Sequence, residues 1–110
     1  MSIDKIIPYW NIDISSKHNE TILHYAARHD NPKIAAYACD PKHGIKLNQR
    51  STHKLRTALH IAVKESRIDT THILLENGAR DEWCDCFGNL TQVYIHDDNI
   101  GVLFKNMDIL

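Results

Sequence analysis

The sequence predicts an all-α fold, a solenoid of stacked helical hairpins, and three observations carry that expectation. From Thr21 the chain reads T-I-L-H-Y-A-A-R and from Thr57 it reads T-A-L-H-I-A-V-K, so Thr, Leu, His and Ala recur in step 36 residues apart. Each copy is followed by a second apolar stretch, Ile34-Ala35-Ala36-Tyr37-Ala38 in one and Ile73-Leu74-Leu75 in the other. Small residues at Ala26, Ala27 and Ala62 allow a neighbouring helix to approach closely. A unit of this size cannot bury its apolar face alone and has to stack on its neighbours.

Each half-unit reads as a helix. Thr21 and Thr57 are suitable N-caps, because a hydroxyl can accept from the free N–H groups of the first turn. Leu59, Ala62 and Val63 fall at i, i+3 and i+4, a narrow buried stripe. A second helix is expected over Pro32 to Cys39 and again over Ile68 to Glu76. Pro32 fits a first helical turn, and Asn77-Gly78 is a stop signal.

The T-x-L-H-x-A pattern, with Leu74, Leu75, Gly78 and Ala79 closing the unit, resembles the ankyrin repeat, whose period is near 33 residues. Residues 57–79 follow that pattern almost position by position; residues 21–39 follow it through the first helix and loosely through the second. The family's proline after Thr is replaced by Ile22 and Ala58. The resemblance implies one ankyrin-type domain over residues 1–110, divided into a partial N-terminal repeat (1–15), a first repeat with an extended basic loop (16–52), a second repeat (53–85) and a degenerate C-terminal cap (86–110). Asn11-Ile12-Asp13-Ile14 stands at the family's turn, and Ile3, Ile6 and Ile7 where a second helix would pack. Asp85-Cys86-Phe87-Gly88-Asn89 matches the D-x-x-G turn that opens a new repeat. The next T-P-L-H is degraded to Leu90-Thr91-Gln92-Val93 or, shifted by one, Thr91-Gln92-Val93-Tyr94, and the sequence leaves both registers open. Asn99 to Phe104 supplies one more apolar helical turn. The linker from Asp40 to Arg56 is longer than the family's, with extra residues around Pro41 to Gly44, so the insertion enlarges a loop.

Composition narrows the functional classes. The chain has 110 residues, enough for one domain, with 43% hydrophobic and 25% charged residues, which argues against wholesale disorder. A formal charge of −1 argues against a whole-molecule nucleic-acid or membrane binder. That balance hides an asymmetry: residues 1–68 carry eleven Lys and Arg against six Asp and Glu, residues 69–110 two against eight. Lys42, Lys46, Arg50, Lys54 and Arg56 meet no acidic residue between them, so nucleic-acid binding through residues 41–56 is the alternative function. Apolar runs are short, Met1 to Pro8 does not read as a secretory signal, and Cys39, Cys84 and Cys86 fit a reduced compartment; a cytoplasmic location is expected.

Little in the sequence points to catalysis, metal or cofactor. His24 and His60 fill the resemblance's T-x-L-H slot, which implies bonds to the Thr hydroxyl and to backbone across repeats. His29, His43, His53 and His72 show no metal-binding spacing. Cys84-x-Cys86 has one intervening residue where zinc sites have two to four. There is no G-x-S-x-G motif and no glycine-rich phosphate loop. Asp97 and Asp98 are adjacent, which on a helix turns them to different faces. The expectation is a protein that is not an enzyme and needs no cofactor.

In ankyrin-like arrays the turn tips and the exposed side of the first helix form a concave surface, and the resemblance therefore implies a protein–protein interaction module. Carried over by position, the first repeat offers Lys17, His18, Glu20, Arg28 and His29, and the second His53, Lys54, Arg56, Lys64 and Glu65. These lean positive, so the partner is expected to present an acidic segment. Tyr25 and Phe87 are the aromatic anchors, since aromatics are over-represented at interface hot spots. An uncovered repeat end offers a route to a homodimer. Fourteen Ile against nine Leu, with eight Asn, is the bias of an AT-rich coding sequence. Ankyrin-like proteins of viruses and intracellular bacteria are similar, which implies a host-directed role, in the host cytoplasm.

Overall fold

The computed structural model describes residues 20–52 and 54–106. The partial repeat expected over residues 1–15, together with Lys17, His18 and His53, lies outside the described residues. Among those described, the chain is helical and contains no strand: α1 (Ile22–Arg28), α2 (Pro32–Ala38), α3 (Ala58–Lys64), α4 (Ile68–Glu76) and α5 (Asp98–Asn106). Short 3-10 turns at Pro41–His43 and Thr91–Tyr94 join them.

The helix boundaries have local causes. Thr21 caps α1 by accepting from the Leu23 N–H at 3.1 Å, and Thr57 caps α3 by accepting from the His60 N–H. Asn31 caps α2 by accepting from the Ile34 N–H at 3.1 Å, with Pro32 in the first turn where its missing N–H costs nothing. Helices α1, α3 and α4 end alike. The residue after the C-cap is left-handed (Asp30 φ 51°, Ser66 φ 55°, Gly78 φ 93°), and the following N–H returns to a carbonyl of the last turn. Those bonds run from Asn31 to Ala26, Arg67 to Ala62 and Ala79 to Leu74, at 2.8–2.9 Å. The same ending at corresponding positions of two units is what gives α1–α2 and α3–α4 the same hairpin.

Two layers result. Helix α1 packs on α3, and α3 on the Thr91–Tyr94 turn; behind them α2 packs on α4, and α4 on α5. Ala26, Ala27, Ala35 and Ala62 are fully buried where the helices meet, and Leu23, Ile34, Leu59, Leu74, Ile100 and Phe104 fill the space between layers. Each of those larger side chains gains roughly 1.5–3 kcal/mol from burial.

The third unit shows its register. His24 reaches the carbonyl of Arg56, the residue before the cap Thr57, and His60 reaches the carbonyl of Asn89, the residue before Leu90. Leu90 therefore stands where Thr57 stands one unit earlier, and the reading Leu90-Thr91-Gln92-Val93 is the correct one. Leu90 has no side-chain oxygen for the free N–H groups and no side-chain cap bond forms. The first helix of this unit shrinks to a four-residue 3-10 turn. Its second helix is longer than the single turn expected from Asn99 to Phe104: α5 spans nine residues and buries Ile100 and Phe104, one turn apart on one face.

Candidate partner-binding face

The concave face is built on two buried histidines. The His24 ring accepts the Thr21 N–H at Nδ1 (3.1 Å), so its proton sits on Nε2 and is donated to the Arg56 carbonyl at 2.9 Å. His60 repeats the arrangement with Thr57 (3.3 Å) and Asn89 (3.2 Å). Burial is the main cause that lowers the pKa of both rings below 6.5, which keeps them neutral. These bonds hold each turn against the unit before it.

The turns then project the tips. Ser51 and Arg56 pair across one tip through Ser51 N–H to Arg56 C=O (2.8 Å) and Arg56 N–H to Ser51 Oγ (3.2 Å). In the next, Asp85 N–H donates to Asn89 C=O (3.0 Å), and Asp85 Oδ1 accepts from the Phe87 and Asn89 N–H groups, each at 3.0 Å. A bond from Cys86 N–H to Lys54 C=O at 2.8 Å ties the two tips together.

Between the first two units lies a depression of about 330 Å³ lined by Glu20, Arg28, Ser51, Lys54, Arg56, Ile61, Lys64 and Glu65. Six of these are residues that the sequence places on the concave side; Ser51 and Ile61 are additional. Arg28 is clamped by Glu20 in a two-pronged ion pair at 3.1 and 2.5 Å. Lys64 and Glu65 are exposed and Lys54 half-buried. Phe87 is 65% exposed at its tip. His29 is exposed and its ring lies against Tyr25 at a 40° tilt, centroids 4.4 Å apart; Tyr25, one of the two expected aromatic anchors, is half-buried.

Arg56 lines the depression yet is turned largely inward. The sequence counts it among the outward cations, yet its side chain is only 12% exposed, with Nε 3.3 Å from the fully buried carboxylate of Asp85. Its Nη2 donates to Tyr94 Oη at 3.1 Å, Tyr94 donates to Asp85, and Asn89 donates to Tyr94 at 3.1 Å. Burial alone would push the Asp85 carboxyl up; the bonds from Tyr94, the two N–H groups and Arg56 outweigh it and hold it down at about 2. This cluster joins the second and third units at the edge of the depression. No motif marks it in the sequence; only with the register known does Tyr94 fall at the position of Tyr25 and Ile61 in the earlier units, 36 and 33 residues apart.

The basic stretch is largely engaged. Arg50 donates to the Leu55 carbonyl at 3.3 Å and the Cys84 carbonyl at 2.5 Å, and its guanidinium lies 5.7 Å from the Trp83 ring centroid. Lys42 sits 3.7 Å from Asp40. Cys84 and Cys86 are exposed thiols, whereas burial pushes the Cys39 thiol up to about 11. Among the described residues no group of three or more His, Cys, Asp or Glu converges on a metal position, and no helix is long and apolar enough to cross a membrane.

With the stacked hairpins, the histidine ladder and the tips in place, the class is defined. A family model described as ankyrin repeats (3 copies) matches residues 3–82, and the chain belongs to that family. Ankyrin repeats are in general protein–protein interaction modules, and their fold is a binding scaffold rather than an enzymatic one. Among solved structures, the ankyrin repeat domain of Bcl-3, described as a unique member of the IkappaB protein family, is similar with a TM-score of 0.76 at 16% identity. The match covers 86% of this chain and 40% of that one, so the chain spans well under half of its length. No curated protein sequence matches.

Proposed function

We propose that this chain binds another protein through the depression between its first two described units, and that the segment it takes is acidic. The observation that supports this most is the convergence of Glu20, Arg28, Lys54, Arg56, Lys64 and Glu65 on one cavity of about 330 Å³. Glu20 offsets Arg28, and Asp85 offsets Arg56. Lys54 and Lys64 then stand against Glu65 as the remaining charges of the lining, a positive surplus that suits a carboxylate-bearing segment. The isoleucine- and asparagine-rich composition supports a host protein of a virus or intracellular bacterium as the partner.

The test is affinity capture from a eukaryotic cell lysate, comparing the wild-type chain with the Lys54→Glu/Lys64→Glu double variant. A partner retained by the first and lost by the second is the expected result. Arg56 is left unchanged, because reversing it would strip Asp85 of its cation and disturb the fold. Equal capture by both chains would reject the charge assignment.

A further inference from the structure

Leu55 combines two unfavourable features at one position. Its φ is 55°, in the left-handed region that side-chain-bearing residues adopt uncommonly, and its side chain is 38% exposed. The corresponding place in the next turn is taken by Gly88, with φ 78°, the residue that adopts this conformation freely. The turn is held in place by Arg50, whose Nε donates to the Leu55 carbonyl at 3.3 Å. Neither strain nor exposure improves the folded chain. The bond from Cys86 N–H to Lys54 C=O sets the Leu55 tip beside the tip that carries Phe87, 65% exposed with its N–H fixed by Asp85. Lys54, on the wall of the depression, is the residue immediately before Leu55.

We infer that Leu55 and Phe87 form an apolar docking edge beside the depression, and that the partner segment pairs an acidic residue with a bulky apolar one. The acidic group meets Lys54 and Lys64, and the apolar side chain lies across the two tips. Water leaves Leu55 and Phe87 only when this second contact is made, which is where the selectivity over a merely acidic chain arises. The inference rests on the reading of the depression as the binding face.

The experiment uses three short synthetic peptides with blocked ends, measured by fluorescence anisotropy. One carries Asp and Glu among Gly and Ser, the second is the same with one Leu or Phe added, and the third has Lys in place of the acids. The second should bind roughly ten-fold tighter than the first, the worth of one buried apolar side chain, and the third should not bind. Leu55→Gly should erase that ten-fold preference while leaving Tm unchanged or raised, because glycine removes the strain. Phe87→Ala should act likewise. Equal binding of the first two peptides, or a preference that survives Leu55→Gly and Phe87→Ala, overturns the apolar edge and leaves the acidic groove standing. Failure of all three peptides to bind overturns both.

Discussion

His24 and His60 serve the array only while they are neutral, because Nδ1 has to accept a backbone N–H as Nε2 donates to the next unit. Burial lowers both pKa values below 6.5, so an unfolded chain takes up these protons more readily than the folded one. Stability is therefore complete above pH 6.5 and falls as the pH drops below it. Calorimetry across that range should show Tm falling with acid, and His60→Gln should lower Tm at neutral pH yet flatten the slope. Asp85 acts lower down. Its pKa of about 2 against 3.8 gives stability that is present above 3.8 and lost as the pH falls towards 2. Asp85→Asn should cost about 1–3 kcal/mol near neutrality, by leaving Arg56 and Tyr94 short of an acceptor, and should remove that last acid-side loss. The histidine slot was legible from Thr21-x-Leu23-His24 and its copy. The Arg56–Asp85–Tyr94 cluster was not, because its members lie 29 and 38 residues from Arg56 and meet only once the turns stack.

At the scale of the element, α1, α2 and α3 each begin where a side-chain oxygen of Thr21, Asn31 or Thr57 caps the first turn, whereas α4 begins after Arg67 without one. Thr57→Ala removes that oxygen from α3 and should lower unfolding free energy by about 1 kcal/mol in urea titration. The converse applies to the third unit. Leu90 is 38% exposed and offers nothing to the free N–H groups, so Leu90→Thr should gain about 0.5–1 kcal/mol and add helical signal in circular dichroism. No gain would mean that the 3-10 turn has another cause. Leu74→Ala, at a fully buried position between the helix layers, should cost about 2–5 kcal/mol. The first four helices were readable from caps, apolar spacing and Asn77-Gly78. The register beyond Asp85 was not, because the missing Thr and His leave two alignments equally good until His60 is seen to reach Asn89.

For the whole molecule, stacking turns a series of modest local contacts into one face. The first two units supply a depression with a positive surplus, while the third contributes Asp85, Tyr94 and Phe87 to its edge. In the proposed reading an acidic segment meets Lys54 and Lys64, which are half-buried and exposed, so its affinity should weaken as salt rises from low to about physiological strength. The most direct measurement is a nitrogen-15 NMR titration with the peptide that carries acidic residues and one Leu or Phe. The amides of Lys54, Leu55, Lys64, Glu65 and Phe87 should shift together, saturating at one Kd. Shifts confined instead to α5 around Gly101 and Val102, at the far end of the stack, would contradict the account.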